Sequence, residues 1–222
     1  MKSLEFYVVA LIVLIAQNAA YASPTAPLPW RAIGHVDNTC PAIALRPSYA
    51  ASGCLPSDKT VRFPHTSVNM LRVDDAGSGP AQGLLVHILR MERTASVSVS
   101  VAATVPQPGT VVTVVQRTSV WNQRGANYVW TWTSRRVRMG KAISPTMVDV
   151  GIGSDDIDTG ALVFSGSALV AVVIVNSART ENIEILTYPI RAGRVIPGRG
   201  ALAVPAHLIL RRAKWVESVY GQ

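Results

Sequence analysis

Hydrophobic and polar positions alternate with period two along most of this chain, which is the signature of strands that bury one face. The clearest run is ASVSVSVAATV (Ala95 to Val105), where Val97, Val99 and Val101 face one way and Ser96, Ser98 and Ser100 the other. SVNMLRV from Ser67 and IEILTYPI near the C-terminal end read in the same way. GLLVHILRM (Gly83 to Met91) and ALVAVVIV (Ala168 to Val175) are apolar on both faces, as expected of strands covered on both sides. TVVTVVQRTSVW (Thr110 to Trp121), the turn residues NQRGAN and YVWTWTSRRVRM predict a hairpin. MVDVGI and ALVF supply further short strands, and RAIGHV a first one.

Two stretches break the pattern. CPAIALRPSYAASGC (Cys40 to Cys54), with its prolines and small residues, reads as an irregular loop stapled by a disulfide, and LPSDKTVRFPHT continues it. AHLILRRAKWVESVY has helical periodicity: Leu208, Ile209, Ala213, Trp215, Val216, Val219 and Tyr220 fall on one face, between Pro205 and Gly221. Arg212 lies on that apolar side and conflicts with the pattern. The fold class expected is therefore mainly β: an antiparallel β-sandwich or flattened barrel with a C-terminal helix. PQPG (Pro106 to Gly109) reads as a turn inside a single β-rich domain, 31–222.

The N-terminus carries a different signal. A basic MK, the apolar run Phe6 to Ala16 and AYA (Ala20 to Ala22) together predict a signal peptide over residues 1–22, followed by a Pro-rich leader, 23–30. The apolar run is too short for a stable membrane helix, and no transmembrane span is expected after its removal. A secreted or periplasmic protein follows, and in such a compartment the chain's two cysteines, Cys40 and Cys54, are expected to pair.

Charge narrows the partners. The formal net charge is +8, which favours an anionic surface such as an acidic glycan, a lipid headgroup or lipopolysaccharide, or else a protein partner; nucleic acid is not expected. A candidate anion-binding surface would use Arg135, Arg136, Arg138, Lys141, Arg191, Arg194, Arg199, Arg211, Arg212 and Lys214. Tyr128, Trp130 and Trp132 form an aromatic strip that either stacks on a ligand or fills a core. Three arginines follow it, so burial of the rings requires a bulge near Ser134 that swaps the faces and turns Val137 and Met139 inward.

Chemistry-bearing motifs are sparse. There is no nucleophile elbow, zinc-helix signature or phosphate loop. The four histidines, His35, His65, His87 and His207, show no paired spacing. Asp155, Asp156 and Asp158 in GSDDIDTG offer too few oxygens for a calcium loop and read as a capped turn. No catalytic residue, metal or cofactor is predicted. The first functional expectation is an exported, non-enzymatic envelope or extracellular binding and assembly protein using its basic surface. A secreted hydrolase with a dispersed site from His65, His87 or His207 and Asp155, Asp156 or Asp158 is one alternative. A glycan-binding module using the aromatic strip is the other.

Overall fold

A computed structural model describes residues 27–37, 39–74, 86–93, 95, 97–152, 157–175 and 201–220. The chain is mainly β with a C-terminal helix, as the periodicity predicts. After a single 3-10 turn, Trp30–Ala32, six antiparallel strands form a closed barrel: β1 (Ile33–Val36), β2 (Cys40–Arg46), β3 (Tyr49–Ser52), β4 (Thr60–Phe63), β5 (Thr66–Asp74) and β6 (His87–Met91). Their order is β1-β2-β3-β6-β5-β4, with β1 pairing back onto β4.

The second sheet contains β7 (Ser100–Val101), β8 (Val111–Asn122), β9 (Asn127–Ser144), β10 (Met147–Ile152), β11 (Leu162–Ser165), β12 (Ala168–Val175) and β13 (Ala201–Pro205). Its order is β11-β8-β9-β10-β13-β12-β7, and the additional β11–β12 pairing closes the first six of these into a ring. β7 adds to β12 in parallel. The helix α1 (Ala206–Tyr220) follows β13 directly.

Alternation along the strands explains how the two rings pack. In β11, Val163 points into the second ring with Val114 and Met139, whereas Leu162 and Phe164 join the buried cluster of the first barrel. In β12, Val173 and Val172 divide in the same way. These strands are buried on both faces, which accounts for the unbroken apolar run ALVAVVIV. The cluster shared by the first barrel, the outer face of the second ring and Ile209, Ala213 and Val216 of α1 makes the seam part of the core.

Three expectations need correction. The Cys40–Cys54 segment is a β-hairpin, β2 and β3, and LPSDKTVRFPHT includes β4. Both faces of β2 and β3 are covered, so the small residues Ala42, Ala44, Ala50 and Ala51 serve close packing there and leave no alternation to read. ASVSVSVAATV is mostly an extended crossing between the barrels: the Val99 amide donates to the Ala44 carbonyl, and only Ser100–Val101 pair with β12. The bulge near Ser134 is absent. β8 and β9 stay in register from Val111 opposite Arg138 to Asn122 opposite Asn127.

Both strands of that ribbon extend beyond the barrel wall. Val137 and Met139 are buried inside the ring and Arg136 and Arg138 are exposed outside it. Trp132 shares the outer face with Arg136, but at its height the outside of the second ring meets the first barrel. No change of phase is needed.

The helix resolves the misfit of Arg212. Its side chain is 0 % exposed, and its Nε and Nη2 donate to Asp74 Oδ2 of β5 at 3.0 and 2.7 Å. The guanidinium also lies 4.5 Å from the Trp215 ring centroid. Two further ties join α1 to the first barrel: Arg46 to Glu217 at 2.6 Å, and Arg90 Nη1 donating to the Tyr220 carbonyl at 2.5 Å.

Candidate functional site

The seam between the barrels is built on the disulfide. Cys40 begins β2, Cys54 follows the end of β3, and the two are bonded with Cα atoms 6.1 Å apart. The Ser52 hydroxyl donates to the Pro41 carbonyl at 3.0 Å and accepts the Cys54 amide at 3.3 Å, which fixes the approach of the chain to the bridge.

Two glycines let the second ring close onto this point. A Cβ at Gly53 would meet the Val173 carbonyl oxygen at 2.7 Å and Gly160 Cα at 2.8 Å. A Cβ at Gly160 would meet Cys40 Sγ at 2.8 Å and Cys54 Sγ at 3.0 Å, and Gly160 also needs a φ of +88°. The turn Asp158–Thr159–Gly160 thus rests on the bridge. Its backbone is held by Asp158 N–H to Gln116 Oε1 at 3.0 Å, Gly160 N–H to the Val173 carbonyl at 2.8 Å and Ala161 N–H to the Asp158 carbonyl at 3.1 Å. Thr159 remains exposed, its carbonyl oxygen 3.8 Å from Cys54 Sγ.

Beside this turn lies a cleft of about 350 Å³. Thr39, Cys40 and Cys54 line it from the first barrel, Asp158 and Thr159 from the turn, and Arg117, Thr118, Ser119 and Trp130 from the β8–β9 ribbon. Arg117 stands opposite Trp132 in the ladder, with its guanidinium 5.2 Å from that ring's centroid and Nη2 donating to the Trp130 carbonyl at 3.4 Å. Burial holds its pKa below the usual arginine value.

Trp132 in turn packs against Trp30 and His35 of the first barrel, at centroid distances of 6.4 and 6.5 Å. His35 is held below the ordinary imidazole value, first by burial and then by the nearby charges of Arg117 and Arg62, against its hydrogen bond to the Asp37 carbonyl. Near neutral pH it is therefore uncharged, with Nδ1–H donating to that carbonyl at 2.6 Å.

The residues singled out from the sequence distribute unevenly around this site. Of the aromatic strip, Tyr128 is 66 % exposed, Trp130 is 37 % exposed and lines the cleft, and Trp132 is half-buried at the seam. None of the three enters the interior of the second ring, because the ribbon's aromatic face is its outer face. Of the basic set, Arg136, Arg138 and Lys141 are exposed on β9, Arg135 is half-buried, and Arg211 and Lys214 are exposed on α1. Arg212 belongs to the interior with Asp74 and leaves that set. Arg191, Arg194 and Arg199 lie outside the described residues, as do residues 1–26, IEILTYPI and two of the hydrolase candidates, Asp155 and Asp156.

Among the other hydrolase candidates, Asp158 reaches the cleft, His65 sits in the turn between β4 and β5, and His207 is at the start of α1. His87 stands opposite Ser52 in the β3–β6 ladder, one residue's breadth from the disulfide wall. Among the described residues, no imidazole is hydrogen-bonded to the Thr159 hydroxyl.

Sequence reasoning missed Thr159, Gly160 and Arg117. Thr159 and Gly160 carry only a faint signal, the Asp-Thr-Gly turn just before an apolar strand. Arg117 is an arginine interrupting a β-branched strand, which by itself marks nothing.

No family model matches the chain, and no curated protein aligns with it significantly. Solved structures do. Neuropsin, a serine protease expressed in the limbic system of mouse brain, superposes with a TM-score of 0.59 at 10 % identity, covering 89 % of this chain and 97 % of its own. The scabies mite inactivated protease paralogue S-D1 gives 0.58 at 14 % identity, with the same coverages of 89 % and 97 %. At such identities the likeness is one of fold. The expectation of a non-enzymatic binding and assembly protein working through a basic surface is corrected by this likeness, since the fold is one shared with serine proteases. A disulfide-bearing protease fold also fits an extracellular protein, and among the described residues no helix is long and apolar enough to cross a membrane. The chain shares the two-barrel fold of the chymotrypsin-like serine proteases.

Proposed function

We propose that this chain is an extracellular hydrolase of polypeptide, with the seam cleft as its substrate site and Thr159 as the hydroxyl that meets the scissile carbonyl. The observation that carries the reading is an exposed Thr159, on a rigid turn braced by the disulfide, lining the cleft of a protease-type two-barrel fold. Attack by Thr159 Oγ would form an ester and release the amine, and water would then hydrolyse the ester.

A triad protease delivers the hydroxyl proton to a positioned imidazole. Among the described residues Thr159 has no such partner, so in this reading the proton passes to water and the rate is held low. Enzymes stripped of triad members keep about 10³ to 10⁴-fold catalysis over water through substrate positioning and remaining electrostatic contacts. Turnover of that order is expected here. Export by residues 1–22, with a mature chain starting at Ser23, and folding of 31–222 as one unit belong to the same proposal; the buried cluster shared by the first barrel, the outer face of the second ring and α1 supports the latter.

The test is exposure of the purified protein to a peptide library with mass-spectrometric mapping of products. Slow cleavage at a restricted set of bonds, lost in Thr159→Ala, is expected. Cleavage unchanged in Thr159→Ala, or no cleavage above the buffer rate, overturns the reading.

A further inference from the structure

Arg117 places a guanidinium in the cleft. Its contacts are a carbonyl, that of Trp130 at 3.4 Å, and a ring face, that of Trp132 at 5.2 Å. Among the described residues it forms no ion pair, and its Nε is buried without a hydrogen-bond partner. Asp158 lines the same cleft but lies beyond ion-pair distance of Arg117.

A cation removed from water in this way bears a desolvation cost that a carbonyl and a ring only partly offset. The planar guanidinium presents parallel donors suited to a carboxylate. The indole of Trp130, on the same outer face of the ribbon, supplies apolar surface beside that charge.

We propose that the cleft selects peptides carrying an acidic side chain, whose carboxylate pairs with Arg117 while the adjoining residue packs on Trp130. This inference rests on the reading of the cleft as a peptide site and names its substrate class. Across the cleft, Asp158 disfavours a second acidic residue next to the first, so a single acidic position flanked by neutral ones is the preferred pattern. Specificity of this kind arises from the partner that a wrong residue leaves unpaired.

The test separates binding from turnover. Fluorescence anisotropy is measured on capped, labelled peptides that differ only in having Glu, Gln or Lys at one position, and the same peptides are assayed for cleavage. Glu should bind at least tenfold tighter than Gln, and Lys weaker still, with the Glu advantage shrinking as salt rises. Arg117→Gln should abolish the difference and Arg117→Glu should invert it toward Lys, with near-UV circular dichroism unchanged. The wild-type series needs no variant to fold, so it stands alone if either variant is unstable. Equal binding of Glu and Gln peptides, or an advantage that survives Arg117→Gln, overturns the inference. Selective binding without cleavage keeps it and refutes the hydrolase reading; cleavage without Glu selectivity does the reverse.

Discussion

The pair Arg212–Asp74 offers the sharpest test of how the helix is held. Arg212 is fully covered and Asp74 is 8 % exposed, and the two share a forked contact at 2.7 and 3.0 Å. Asp74→Ala strands a cation in the interior between α1 and β5. Removing one partner of a buried pair costs about 3–5 kcal/mol, a large part of a typical native stability of about 5–15 kcal/mol. With a urea m-value of about 2–3 kcal/mol/M, the midpoint should fall by about 1–2.5 M. Replacing both partners, Asp74→Ala with Arg212→Met, removes the stranded charge and restores apolar contact with Trp215. The double variant should therefore lose clearly less than the sum of the two single losses. Urea melts followed by tryptophan fluorescence measure all four proteins. A loss below 1 kcal/mol for Asp74→Ala, or strict additivity in the double variant, would refute the claim that the pair anchors the helix.

Three further outcomes follow from the seam and its surroundings. Gly160→Ala places a methyl within 3.0 Å of both sulfurs at a φ of +88°, so it should cost more than about 1 kcal/mol and reduce peptide binding together; a variant as stable as the parent would show that the turn does not rest on the bridge. Reducing the bridge, or replacing Cys40 and Cys54 by Ser, should cost about 3 kcal/mol for a loop closed over a separation of 14 residues, read as a lowered thermal midpoint. His35 and His207, both lowered by burial, should titrate by NMR below the ordinary 6.5. In that window the unfolded chain binds more protons than the folded one, so stability rises with pH up to 6.5 and is lost as pH falls through the folded values. A midpoint at or above 6.5 for His35 would contradict the packing described around Trp132.

The parts of the fold that the sequence made legible are those where one physical requirement acts alone. The β8–β9 ribbon reads clearly because its turn residues and β-branched runs all favour a hairpin, and the helix because its apolar stripe and Pro205 agree. β2 and β3 do not read as strands, since packing against two neighbours at once removes alternation and selects small side chains. The rule of alternation also misled at Ser134. It correctly linked Trp132 to Arg136 on one face, but a single-barrel picture has only inside and outside, whereas the outside here is partly covered by a second barrel. The cleft was hidden for a related reason. Thr39, Arg117, Trp130 and Thr159 come from distant stretches, and only the meeting of the glycines at 53 and 160 brings those stretches together. Arg212 looked like a flaw in the helix because its partner, Asp74, is far away in the chain.

That separation bears on how the molecule is made. The Asp74 carboxylate leaves the ribosome 138 residues ahead of the guanidinium that will neutralise it. Arg46 and Arg90 also wait for groups made much later, Glu217 and the Tyr220 carbonyl. The first barrel can close its own ladder during synthesis, but these charges stay unmatched until α1 packs against it. The first barrel is therefore completed only once α1 has been made, and that helix acts as the latch on strands synthesised well over a hundred residues before it.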